Sequence, residues 1–288
     1  MLVSMIEYIW LDGKHQKKID TELLISNLDY SAGISEIIRV YNGKIFQLEQ
    51  HLKRILASSK IIMMNINFSI KELTEACLEL VKLNQLENGY IRLLLFLSDK
   101  YTIKNADEGI HVMLTCRKNL TADHVNLTEK KALRFNIASI TKPSPDFHPY
   151  HVKANGLYLM HYVAKKHAIE SGYDDSLMFD HRGFVADTSS ANFFMVKDIS
   201  LYTPTTKCCL DGITRQNIID IARQNNIEVI EKDITREELF ESDEAFAVNT
   251  IDDITPIASI LAHEYKANPV SQLLYSKLYQ QTQELIKG

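Results

Sequence analysis

Three short stretches in the second half of the chain hold residue types that could do chemistry. The first is HVKANGLY at 151–158, where Lys153 stands between Val152 and Ala154, just ahead of a helix-like run. A lysine amine is a useful nucleophile only when neutral, and apolar surroundings favour the neutral form by desolvation. The competing reading is a helix-entrance lysine whose stem lies on apolar surface and whose ammonium reaches water. The second is LDGITRQN at 210–217, where Asp211 is expected to cap a helix. Gly212, Ile213 and Thr214 could offer free backbone N–H groups to an anion at the positive end of the helix dipole. An ordinary capped helix has the same pattern. The third is VADTSSANFFMV at 185–196, in which Asp187 opens a run of small residues leading through Asn192 into a strand. A buried carboxylate needs a partner; a capped turn is the plain alternative.

Together the three fit the needs of pyridoxal phosphate. That cofactor takes a lysine for its Schiff base, a carboxylate at its pyridine nitrogen and an anion site for its phosphate. The lysine, once released, can also serve as the general base for the substrate Cα proton.

These residues must be positioned by regular elements, and the chain supplies them. EYIWLDGK reads as a strand entering an Asp-Gly turn, and SEIIRVYNGKIFQL as strand, Asn-Gly turn and short strand. Apolar residues at Leu48, Leu52, Ile55, Leu56 and Ile62 predict an amphipathic helix, and a second follows with Ser69 as its N-cap and Gly89 beyond its end. YIRLLLFLS (90–98) and IHVMLTC (110–116) read as buried strands. The polar stretch 119–130 is expected to link a small α/β domain (1–118) to a larger one (131–288). In the second part RFNIASI is strand-like. A helix carrying Leu157, Met160, Ala164 and Ala168 ends at Ser171-Gly172. Two strand pairs, DSLMFD with FVAD and NFFMV with ISLYT, precede the 211–226 helix, whose apolar face is Ile213, Ile218, Ile221 and Ala222. Further strands and a terminal helix complete a two-domain α/β (α+β) fold.

Composition narrows the partners. The 288 residues carry a net charge of −5 with no Lys/Arg block, which argues against nucleic acid. Runs such as LLLF at 93–96 are too short to cross a bilayer, so no membrane is expected. None of the four cysteines forms a CxxC pair, which suits a reduced, cytoplasmic protein. His148 and His151 lack a third ligand nearby, so no metal is expected.

From EYIWLDGK to DDITPIASI the sequence resembles the class IV, fold-type IV pyridoxal-phosphate enzymes: branched-chain aminotransferases, D-amino acid aminotransferases and aminodeoxychorismate lyases. Several motifs match in order, and the fold implied is D-amino acid aminotransferase-like. HVKANGLY resembles the Schiff-base segment, which implies that Lys153 is the cofactor's lysine and the catalytic base. Tyr158 then matches the tyrosine at the cofactor's phenolic oxygen. HLKRILASSKI resembles the helix whose arginine grips the phosphate, here Arg54. GITR puts Gly212, Ile213 and Thr214 at the phosphate, and NTIDDITP puts Thr250 there, with Ile251 beside the substrate carboxylate.

YIRLLLF is similar to the YIRPL stretch of branched-chain aminotransferases, which implies that Tyr90 and Arg92 hold substrate carboxylates. Tyr30 matches a tyrosine of the same pocket. An arginine fork suits a carboxylate because it bonds both oxygens. Leu97 stands where D-amino acid aminotransferases have an arginine, and no threonine stands near Glu36-Ile37 as in the lyases. The resemblance therefore implies a homodimeric transaminase exchanging an amino group between a hydrophobic, branched-chain L-amino acid and 2-oxoglutarate. The alternatives are a D-amino acid aminotransferase, an aminodeoxychorismate lyase, or a drifted cofactor-binding relative with little turnover. Three departures stand out: Asp187 in place of the usual glutamate, and Ser35 and Ile37 where an aromatic residue and a glycine are usual.

Overall fold

The computed structural model describes residues 7–17, 33–97, 109–118, 127–265 and 269–287. They fall into two compact units. The first takes the chain to Asp123 together with Val152–Gly156 and the segment from Thr282; the second takes His124–His151 and Leu157–Gln281.

The first unit is built on a six-stranded sheet in the order β2-β1-β6-β5-β3-β4. Strands β1 (Ile9–Leu11) and β2 (Lys14–Gln16) flank the predicted Asp-Gly turn, and β3 (Gly33–Tyr41) and β4 (Lys44–Ile45) flank Asn42-Gly43. All four turn residues have positive φ, which gives the tight hairpin twist. β5 (Gly89–Leu97) pairs antiparallel with β3 and with β6 (Ile110–Lys118). On one face Ile91, Leu93 and Leu95 join the core with Leu52 and Ile55 of α1 (Leu48–Ile61) and Leu73, Cys77 and Leu80 of α2 (Ile70–Leu83). Ser69 caps α2 in a full capping box with Glu72. The helix stops at Leu83, well before Gly89. Gly89 belongs to β5, where a Cβ would lie 2.1 Å from the Arg117 carbonyl oxygen, so close strand packing demands the glycine.

The second unit carries a nine-stranded sheet whose main path is β12-β11-β10-β13-β14-β7-β8-β9, with β15 (His263–Glu264) on β14. β7 (Leu133–Ile137) and β8 (Asp175–Phe179) are parallel, joined through α3 (Tyr158–Glu170). α3 buries only Ala164 and Ala168, one turn apart, and leaves Leu159, Tyr162 and Ile169 exposed. β9 (Val185–Thr188) returns along β8, and β10 (Asn192–Lys197) pairs with β11 (Ser200–Pro204) as the sequence predicts. α4 (Ile213–Gln224) buries Ile218, Ile219, Ile221 and Ala222, whereas Ile213 is only half-buried. β12 (Val229–Lys232), α5 (Arg236–Phe240), β13 (Glu244–Asn249) and β14 (Asp253–Ile260) follow in order, before α6 (Pro269–Lys287). Glu244 accepts the Val270 and Ser271 N–H groups at the start of α6.

Candidate active site

Lys153 belongs to the first unit, although it lies far along the chain. Its carbonyl accepts the Ser35 N–H at 3.1 Å, and Ala154 bridges antiparallel to Ile34. Val152, 2 % exposed, is part of the first unit's core, and the Ser35 hydroxyl donates to Asn155 Oδ1 at 2.9 Å. Residues 152–156 are thus pinned along β3, with Lys153 itself half-buried.

Beside this segment lies a buried charged cluster. Arg54 Nε and Nη2 donate to Glu36 Oε1 and Oε2 at 2.6 and 2.7 Å. His51, one turn before Arg54 on α1, contacts Glu36 Oε2 through Nδ1 at 2.8 Å. Burial pushes the Glu36 carboxyl up, but the Arg54 charge and the hydrogen bonds from His51 and Arg54 outweigh it and hold it down, at about 2. Burial pushes the His51 imidazole down; Glu36 opposes this, while the charges of Arg54 and Lys153 add to it. Glu36 and His51 are functional candidates that motif reading left out. A charged residue inside an otherwise buried strand, facing a His–x–x–Arg helix face, was the available signal.

The opposite face of the same sheet carries the expected carboxylate-binding side chains. Strand alternation puts Tyr90 and Arg92 on the face away from Ile91 and Leu93. Arg92 pairs across to Ile37, and Tyr90 to Arg39. The bulky Ile37 therefore stands directly beside the arginine. Tyr30 lies outside the described residues.

In the second unit, Asp187 lies on β9, 5 % exposed. Its Oδ2 accepts Lys142 Nζ at 2.5 Å, and its Oδ1 is buried without a partner. An enclosed carboxylate oxygen lacking a donor is costly, and it suits the protonated ring nitrogen of pyridoxal phosphate. Thr188 Oγ1 accepts the Ser190 and Ala191 N–H groups, which makes the small-residue run a tight turn into β10.

The α4 terminus corrects one expectation. The N-cap is Gly212, with no side-chain cap; Asp211 turns aside to Arg215 Nη1 and Gln216 Nε2. Asn192 donates to the Leu210 carbonyl at 2.8 Å, and its Oδ1 would sit 2.1 Å from a Cβ on residue 212. Only glycine fits, and the first-turn amides of Ile213 and Thr214 face no capping side chain. Uncapped first-turn amides of this kind can receive an anion. Thr250 and Ile251 follow β13, both half-buried; the Ile251 N–H donates to Asn249 Oδ1 at 2.8 Å, so that amide is engaged within the loop. Tyr158 opens α3, 43 % exposed, its ring 6.1 Å from that of His161.

Other chemistries fare less well among the described residues. Burial pushes the Cys77, Cys116 and Cys209 thiols up to about 12 and Cys208 up to about 11, so none offers a thiolate near neutral pH. Asp180, His181 and Cys208 bring ligand atoms within 4.8 Å of one another. Asp180, however, already accepts four N–H groups from Arg182 and Phe184.

Comparison with known proteins agrees with this chemistry. The model of the family described as amino-transferase class IV matches residues 33–260. A branched-chain-amino-acid aminotransferase of Pseudomonas aeruginosa is 31% identical, covering 97% of this chain and 93% of its own. The Escherichia coli branched-chain aminotransferase structure superposes with a TM-score of 0.88 at 29% identity, over 95% of this chain and 94% of its own. A T.th. branched-chain aminotransferase complexed with N-(5'-phosphopyridoxyl)-L-glutamate gives 0.86 at 29% identity, over 97% and 94%.

Proposed function

The chain belongs to the amino-transferase class IV family, a pyridoxal-phosphate-dependent transaminase, and on that premise we propose its substrates and the roles of its residues. It moves an amino group between a hydrophobic, branched-chain L-amino acid and 2-oxoglutarate. The donor class follows the relatives' names, and the glutamyl adduct held by the T.th. enzyme supports a five-carbon dicarboxylate as the other partner. The observation that carries the reading is Lys153, pinned along β3 in the same unit as Arg54, Tyr90 and Arg92.

Bound pyridoxal phosphate supplies an electron sink for the pair released when the substrate Cα–H bond breaks. Lys153 tethers the cofactor, and its Nζ takes up and returns the Cα proton. Arg54, Gly212, Ile213, Thr214 and Thr250 hold the phosphate. Asp187 accepts the ring N–H, and Tyr158 hydrogen-bonds the phenolic oxygen. Tyr30, Tyr90 and Arg92 receive substrate carboxylates, with Thr250 and Ile251 at the α-carboxylate.

We read the protein as a cytoplasmic homodimer. The exposed Leu159, Tyr162 and Ile169 on α3 offer apolar surface to a second copy, and among the described residues no helix is long and apolar enough to cross a membrane. A D-amino acid aminotransferase or a lyase on the same scaffold is the second reading, and a drifted relative is the third, which Ile37 beside Arg92 motivates by reshaping the pocket.

An absorbance spectrum of the purified protein tests the choice. A visible band that bleaches with L-leucine and returns with 2-oxoglutarate supports the first reading. A band that ignores L-leucine but responds to D-alanine supports the second, and one that ignores every amino donor points to a drifted relative.

A further inference from the structure

The buried pair of Lys142 and Asp187 leaves half a carboxylate unmet. Lys142 is 2 % exposed; its ammonium donates to Asp187 Oδ2, and the equally enclosed Oδ1 has no partner. Buried ion pairs add little stability compared with apolar residues of the same shape, so stability is a weak reason for placing this one here. Both partners hang from β8. The Lys142 N–H donates to the Phe179 carbonyl at 2.8 Å, and Asp187 sits across from Met178. Just beyond, the β8–β9 register shifts so that Phe179 faces Val185, and an irregularity of this kind re-aims neighbouring side chains. The lysine head is held in turn: Nζ lies 5.4 Å from the Tyr150 ring centroid, and the Tyr150 hydroxyl donates to the Pro143 carbonyl at 2.9 Å.

We propose that Lys142 is a positioning residue for the cofactor: by occupying Oδ2 it fixes the Asp187 carboxylate and reserves Oδ1 for the ring nitrogen. The proposal rests on the reading that Asp187 faces that nitrogen. A protonated pyridine nitrogen is a single charged donor, and the pair presents a single acceptor. Without Lys142 the carboxylate has a second free oxygen and can turn about its terminal bond. The short arm of aspartate then has nothing to aim it.

The test compares the affinity of the full-length apoprotein for pyridoxal phosphate and for the analogue in which carbon replaces the ring nitrogen. The unmodified protein is expected to prefer pyridoxal phosphate by about tenfold or more, the worth of one charge-assisted hydrogen bond. Lys142→Met is expected to lose that preference while binding the analogue as the unmodified protein does. Lys142→Arg, which restores a charged donor, is expected to recover it. A Lys142→Met protein that keeps the full preference overturns the proposal. Lys142→Gln, which removes the charge, serves if the methionine variant does not fold, and an unchanged preference there counts against the proposal in the same way. An unmodified protein with no preference removes the Asp187 reading itself, and the role of Lys142 with it.

Discussion

Glu36 and Arg54 meet side-on, both carboxylate oxygens facing the Nε–Nη2 edge of the guanidinium at 2.6 and 2.7 Å. The pair joins a strand to a helix across the core face of the first unit's sheet, and it fixes the plane of the arginine assigned to the cofactor's phosphate. Glu36→Ala leaves the half-buried Arg54 guanidinium without this counter-charge. Losing these charge-assisted hydrogen bonds costs about 1.5–3 kcal/mol, which urea unfolding will register. Affinity for pyridoxal phosphate falls with it.

The same cluster makes stability depend on pH. The folded Glu36 carboxyl titrates at about 2, below its ordinary 4.5, so its contribution is complete above 4.5 and is lost as pH falls towards 2. The His51 imidazole is also lowered from 6.5, so the unfolded chain binds its proton first and stability begins to fall below that pH. Melting temperatures between pH 7 and pH 3 are expected to decline in two stages, and His51→Asn to remove the upper one.

Lys153→Ala is expected to abolish both the visible band and transamination, with little change in folding, because the side chain is only half-buried and the segment is held by its backbone. Retained turnover with any amino donor would overturn the central assignment.

Gly212→Ala drives a methyl group into Asn192 Oδ1. Asn192 must then release the Leu210 carbonyl, at a cost of about 1–3 kcal/mol for the polar group left unmet. Cofactor titration is expected to show markedly weaker binding, since the phosphate cradle shifts with the helix start.

Asp187→Glu lengthens the arm towards the ring nitrogen and is expected to preserve or raise activity. The enclosed site must absorb an added methylene, so a fall in melting temperature matching about 1–3 kcal/mol is expected beside it. A large loss of activity would show that the local backbone is adapted to aspartate.

The sequence by itself determined the elements and singled out the candidate site residues. A near-continuous apolar run marked β5, the Asp-Gly and Asn-Gly pairs marked the hairpins, and Ser69 marked the start of α2. These signals are local, set by backbone conformation and by periods of two and 3.6 residues. Lys153 was singled out for a similar reason: its neighbours and its motif lie within eight residues. Tertiary structure decided the partnerships. Lys142 meets Asp187 across 45 positions, and Asn155 meets Ser35 across 120. Asp211 turned away from the cap it should have filled because Arg215, fully buried, needed its charge more than the helix end did. No local period encodes such choices. They follow from which buried charge lies within reach once the strands have paired, and a chain can settle that only by folding.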